Sequence, residues 1–177
     1  MTRALTWGGA VLAGAALVHV AAITMLPHAI MSRVLAGLAA RGGENAFVHP
    51  ELATAASRTI VRPSPDLAYS SAVFDVSERP LRVIVPLTAP YTSLSGFAAN
   101  SDNFFAVNDR SVDGGEIDVL LVGPSTPRAG LGGGPLIESP SDRGVLLVRR
   151  VVPSADAFAA IDAVRQRARV EAVAPGG

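Results

Sequence analysis

The chain runs to 177 residues, 49% of them apolar, which is room for one packed domain plus an attached segment. Its formal net charge is +0, from 15 basic and 15 acidic residues, and gives no reason to expect a nucleic-acid partner. Cysteine is absent, which excludes disulfides, thiolate nucleophiles and cysteine-ligated metals.

The first element is apolar. From Trp7 to Leu26 the chain reads WGGAVLAGAALVHVAAITML, about 20 residues in which His19 is the only ionisable side chain. At about 1.5 Å per residue this spans a hydrocarbon core of roughly 30 Å, where only a helix satisfies every backbone polar group. Trp7 suits the headgroup region at one end, and Pro27 is expected to close the other. The stretch exceeds the roughly 7–15 residues of a signal-peptide core, and no small-x-small site follows it, so it reads as an uncleaved anchor. Gly8, Gly9 and Gly14 leave one smooth face. His19 has no second polar partner in the span and reads as a tolerated neutral imidazole. The very short leading segment places the long remainder outside the cytoplasm.

His28 to Ala40 sets Ile30, Val34, Leu35 and Leu38 on one side at helical spacing, either continuing the anchor or lying along the membrane, and ends at Gly42-Gly43. Residues 42–65 read as a connector, with Pro63 and Pro65 breaking any helix. Strands are predicted next, at Leu67–Val76, Leu81–Val85, Tyr91–Phe97, Asn103–Asn108, Ile117–Val122 and Gly144–Val152. Their spacing by turns favours a mostly antiparallel sheet. Ile117–Val122 is almost continuously apolar, as in a strand buried on both faces. The glycine- and proline-rich run from Gly123 to Pro140 lacks the Gly-Lys-Ser/Thr of a phosphate loop and reads as a mobile surface loop. A helix closes the domain: Ser154 is a natural N-cap, Asp156 suits the positive end of the dipole, and Pro175 stops it. Ala157, Ile161, Val164 and Ala168 would cover one face of the sheet, with Asp162, Gln166 and Arg169 toward water.

Charge is unevenly placed: residues 1–65 carry a net +3, residues 66–142 a net −6 and residues 143–177 a net +3. This fits an ordinary solvated surface, or a basic collar beside a membrane with an acidic outer face. Arg149, Arg150, Arg165, Arg167 and Arg169 read as a solvated basic face. Two clusters hold the candidate chemistry. RPSPDLAYS places Asp66 and Tyr69 three apart after a proline-fixed entry, and NSDNFF places Asn100, Asp102 and Asn103 before an aromatic pair. Asp and Asn at such density cap turns, bind a cation or orient a hydroxylated ligand. His19, His28 and His49 do not converge readily, and no HExxH, nucleophile elbow, Walker loop or dinucleotide fingerprint occurs. No catalytic set, metal site or cofactor is expected.

These residues carry a resemblance. RPSPDLAYSSAVFDVSERPLRVIVP, then Tyr91, then SPSDRGVLLVRR with its trailing helix, resemble the family called domain of unknown function 1254 over roughly residues 45–170. Asp66 and Tyr69 match that family's Asn-Pro-Asp-Thr-x-Tyr-type motif, Pro86 and Tyr91 its proline-ended strand and Arg-Tyr turn, and Arg149 or Arg150 its late arginine-bearing strand. The leading Asn and the Thr are missing here, and Ala-Pro-Tyr stands for Arg-Tyr. The resemblance implies a β-rich domain, bacterial membrane association and Tyr91 as a further ligand contact, with no established reaction. Longer relatives add a domain of unknown function 1214, which a separate polypeptide would supply here.

The expectation is therefore an α+β chain: a transmembrane anchor and juxtamembrane helix (1–41), a connector (42–65), and a mostly antiparallel β domain with a C-terminal helix packed on the sheet (66–177). The expected role is a single-pass bacterial inner-membrane protein, held in the bilayer by residues 7–26, with a periplasmic binding or assembly domain. The alternatives are an enzyme or metal-dependent ligand-processing protein using Asp66, Tyr69, Asp102 and Asn103, and a purely structural membrane protein.

Overall fold

The computed structural model describes residues 2–54, 56–57, 63–127 and 134–173. Helix α1 (Thr2–Gly42) is a single 41-residue helix, about 60 Å long at 1.5 Å per residue. That is twice what a bilayer core needs, and the second half has another use. Met31 and Leu35 are buried, and with Val34, Leu38 and Ala39 they pack on Val73, Val145 and Phe97. Ile30, expected in this stripe, stays 48% exposed, because the stripe is centred one residue further along, on Met31. The helix ends where predicted: Gly43 takes φ +78°, a conformation that favours glycine, and its N–H donates to Ala39 O at 2.8 Å.

Pro27 does not close the apolar segment; it lies inside α1. An interior proline costs about 3 kcal/mol. Burying Met31 and Leu35 beyond it returns roughly 1.5–3 kcal/mol each, enough to carry the helix through. Around the proline, side chains bond the backbone carbonyls. Thr24 Oγ1 donates to Val20 O at 2.8 Å, His28 Nδ1 lies 3.0 Å from Thr24 O, and Ser32 Oγ donates to His28 O at 2.8 Å.

The remainder is a sandwich of two sheets. The strands are β1 (Phe47–Val48), β2 (Leu67–Asp75), β3 (Leu81–Pro86), β4 (Thr92–Ala98), β5 (Asn103–Asn108), β6 (Glu116–Val122), β7 (Leu136–Glu138), β8 (Arg143–Val151) and β9 (Arg169–Ala172). The five-stranded sheet runs β1-β2-β8-β4-β5 and the four-stranded sheet β7-β6-β3-β9. Every ladder is antiparallel except β6 with β7. Alternation sends Ala72, Phe74, Leu94, Leu146 and Val148 of the first sheet inward against Leu81, Val83, Val85, Ile117, Val119 and Leu121 of the second. The opposite faces of β2, β8 and β4 meet α1 through Val73, Val145 and Phe97, which form one cross-strand row. One helical turn advances about 5.4 Å and one strand spacing is about 4.8 Å, so the helix keeps pace with the row as it crosses the sheet. Most of Ile117–Val122 is buried, as predicted.

The C-terminal helix packs on the sheet as expected but is shorter than predicted, and Pro175, its expected stop, lies outside the described residues. Ser154 does cap, accepting from Ala157 N, but it caps a 3-10 turn (Ala155–Ala157) leading into a short α2 (Phe158–Arg165). Ile161 packs on Ala68 and Val152. Ala168 is buried beyond the helix, and Arg169–Ala172, read as more helix, forms β9 against β3. The free edge of β3 offers backbone partners that a solvent-facing helical turn cannot, and tertiary pairing overrides weak local propensity. Within the run read as a loop, Leu136–Glu138 pairs with β6, while 128–133 lie outside the described residues.

Candidate functional site

The predicted site residues fall into two groups. Asp66 is exposed in the turn before β2, where its carbonyl accepts from Val152 N at 2.8 Å. Tyr69 stands on the outer face of β2, opposite Arg149, and its hydroxyl accepts from Ser64 N at 3.0 Å. Tyr91 follows a cis Ala89–Pro90 peptide, and its carbonyl accepts from Val151 N at 3.1 Å. These three share one end of the sandwich. Asn100, Asp102 and Asn103 occupy the β4–β5 turn at the other end. Asn100 Nδ2 donates to Asp102 Oδ2 at 2.6 Å, Asp102 N donates to Asn100 Oδ1 at 3.1 Å, and Asn103 Nδ2 donates to Gly96 O at 3.1 Å. Through the registers Tyr69↔Arg149↔Ser93 and Asn103↔Phe97↔Val145, Tyr69 and Asn103 sit four residues and three strands apart. That is about 20 Å between their Cα atoms. No single cleft holds both groups.

A different set gathers at the Tyr69 end, between the sheets. Arg150 is 0% exposed, directed inward with Leu146 and Val148, and lies opposite Thr92 on β4 and Ala68 on β2. Its Nη2 donates to Pro86 O at 3.0 Å, while Nε and Nη1 have no hydrogen-bond partner among the described residues. Burial, with repulsion from Arg165 second, lowers its pKa to about 10, so the guanidinium is charged at neutral pH. Arg165 is also buried, but each of its three nitrogens has a partner. Its Nε donates to Asp162 Oδ1 at 2.8 Å, Nη1 to Pro50 O at 2.8 Å and Tyr69 O at 2.9 Å, and its Cζ lies 5.5 Å from the Phe158 ring centroid. His49 Nδ1 contacts Ser70 Oγ at 2.8 Å. Desolvation first, then the Arg165 and Arg150 charges, hold its pKa below 6.5 and keep the ring neutral at pH 7. Thr92 Oγ1 accepts from Thr88 N at 2.9 Å and donates to Thr88 O at 3.1 Å. A buried cation with two unpartnered nitrogens suits binding an anion. Among the described residues no three His, Asp or Glu side chains gather as a metal would need.

Residues 44–172 match the family described as "Protein of unknown function (DUF1254)". The chain belongs to that family. Comparison with the curated proteins finds no match. Among solved structures, the DUF1254 chain is similar to the VPA0106 protein from Vibrio parahaemolyticus, at a TM-score of 0.64 and 12% identity over 88% of this chain. It is also similar to an uncharacterized protein from Burkholderia cenocepacia, at a TM-score of 0.52 and 19% identity over 83% of this chain. These likenesses concern the fold. The DUF1254 chain spans 38% of the first of those chains and 41% of the second.

Two other concavities mark the opposite end of this DUF1254 sandwich. A groove of about 370 Å³ is lined by Glu44, Asp75, Glu78 and Arg79, with Arg143 bridging Glu44 and Asp75 at its edge. An apolar crevice of about 410 Å³ lies where α1 leaves the sheet, between Ile23, Leu26, Ile30 and Ser101 of the β4–β5 turn. The turn carrying Asn100, Asp102 and Asn103 thus abuts the emerging helix.

The expected solvated basic face fails at Arg150 and Arg165, which are both buried. The signal against that reading was present. Neighbours in a strand point to opposite faces, so Arg149 and Arg150 cannot both face water on a covered sheet. Arg165 continues the Ala157–Ile161 spacing at i+4, on the buried side of the helix.

Proposed function

We propose that this chain is a membrane-anchored binding or assembly module of the bacterial cell envelope, non-catalytic by itself. α1 crosses the inner membrane once and the sandwich stands on the periplasmic side. The observation that carries this reading is the seam between α1 and the first sheet. The same continuous helix that buries Met31 and Leu35 on the sandwich leaves Leu5, Trp7, Val11, Leu12, Leu17 and Val18 each at least 67% exposed. An apolar surface of that extent calls for lipid or a partner helix. The helix runs unbroken from its apolar half onto the sheet, which suits an assembly module. The rival reading, an enzyme using Asp66, Tyr69, Asp102 and Asn103, needs four side chains in one cleft, and they lie at opposite ends of the sandwich.

The neighbouring solved chains hold this sandwich within more than twice its length, which favours function beside further mass. In this proposal a separate protein bearing a domain of unknown function 1214 supplies it. The test is tagged purification from detergent-solubilised native membranes, after alkaline carbonate washing. The chain is expected in the washed membrane pellet, with the second protein in stoichiometric amount. Release into the carbonate supernatant sinks the anchor; recovery alone or as a homo-oligomer sinks the partner.

A further inference from the structure

Arg150 poses a problem of charge and of hydrogen bonding at once. A fully buried cation with missing partners is strongly destabilising, and buried polar groups are nearly always satisfied. Asp162, the carboxylate of this cluster, is already bound through Arg165 Nε and Nη2. With Arg165 so paired and His49 neutral, the cluster carries, among the described residues, one uncompensated positive charge, on Arg150.

The unpaired atoms of Arg150 have a definite geometry. A guanidinium presents five N–H groups, four of them on two forked edges, one made by Nε with Nη2 and one by Nη1 with Nη2. Pro86 O takes one Nη2 hydrogen. Whichever hydrogen that is, one complete edge stays open, since Nε and Nη1 have no partner among the described residues. An open edge matches two oxygens of a planar oxyanion, and one surplus charge matches a monoanion.

We propose that the closed end of the sandwich is a binding site for a small monocarboxylate, its two oxygens seated on the free edge of Arg150. Thr92 and Ala68 stand beside it in the facing strands, and His49 and Arg165 close the end. The site is independent of the membrane and partner roles proposed above.

The experiment uses the full chain in detergent, titrated with sodium formate and sodium acetate against sodium chloride and sodium phosphate at constant ionic strength. One readout is the thermal midpoint. The other is the ring C–H resonance of His49, whose pKa must rise as a bound anion cancels the Arg150 charge. The expected result is a saturable rise in midpoint with formate or acetate only, together with an upward shift of the His49 titration. Arg150→Lys keeps the charge but loses the fork, so its formate affinity should fall at least tenfold. If that variant does not fold, the Arg150 Nε–H resonance of the unaltered chain decides, and must move with formate. No formate-dependent change in midpoint, His49 or Nε–H would mean ordered water only and overturns the site. Equal responses to chloride and phosphate, or an unweakened Arg150→Lys, overturn it as well.

Discussion

Arg165 Nη1 donates to the backbone carbonyl of Tyr69 at 2.9 Å and thereby ties the last turn of α2 to the start of β2. The same nitrogen serves Pro50 O at 2.8 Å, and Asp162 accepts from Nε. One side chain thus joins the segment after β1, strand β2 and helix α2, and closes the end of the sandwich in which Arg150 lies. The C-terminal helix is short, so this clip, more than its own propensity, holds it in place.

Arg165→Met should therefore lower stability by about 2 kcal/mol, because it takes the donor from the half-buried Tyr69 carbonyl and from Pro50 O and unpairs Asp162. Arg165→Lys should fall between, since an ammonium cannot reach both carbonyls and the carboxylate with one planar fork. Thermal melting in detergent reads both. A midpoint unchanged in Arg165→Met would remove the clip from the account.

Gly144 sits where β8 passes between β2 and β4, and a Cβ there would run into Phe97 O and the Phe74 ring. Both are fixed, one as backbone and one as a fully buried ring. Gly144→Ala should destabilise by about 2–3 kcal/mol through overpacking. Gly115→Ala, where a Cβ meets open space, is the control and should change stability little.

Leu35 and Met31 join the helix to the sheet. Leu35→Ala should cost about 2 kcal/mol from lost burial and an incompletely closed cavity. Leu35→Asp should go further and free α1 from Val73 and Val145 while the sandwich core stays folded. Limited proteolysis after Arg33 or Arg41 reports this. Equal protection of those sites in the unaltered chain and Leu35→Asp would show that the seam does not hold the helix.

His49 makes stability depend on pH. Its folded pKa lies below the ordinary 6.5, through desolvation and the Arg165 and Arg150 charges, so the unfolded chain takes up its proton first as pH falls. This contribution is fully present above about pH 6.5 and is lost as pH drops toward the folded pKa. His49→Gln keeps a polar contact for Ser70 but cannot titrate. Compared between pH 7.5 and 5, the unaltered chain should lose more stability than His49→Gln; parallel pH profiles would count against the buried neutral imidazole.

Much of this architecture is legible from local pattern. Asn103–Asn108 was read residue for residue as β5, and the other long strands within a residue or so at each end, because alternation and turn residues are local signals. The apolar helix and its glycine stop were equally plain. Membership of the family could be read from motifs that lie in those strands. What tertiary structure decided lay elsewhere. Pro27 marks a break in any local reading, and the helix passes it because Met31 and Leu35 find a sheet to cover. Arg169–Ala172 has no strong preference of its own and became a strand because β3 had a free edge. Among the candidate residues, sequence proximity grouped Asp66 with Tyr69 and Asn100 with Asp102, and the register of β2, β8, β4 and β5 set the two groups about 20 Å apart. Alternation by itself says that Arg149 and Arg150 part company. Only the packing of the second sheet determines which of the two is taken out of water, since burial is a property of what lies across the gap and not of the strand.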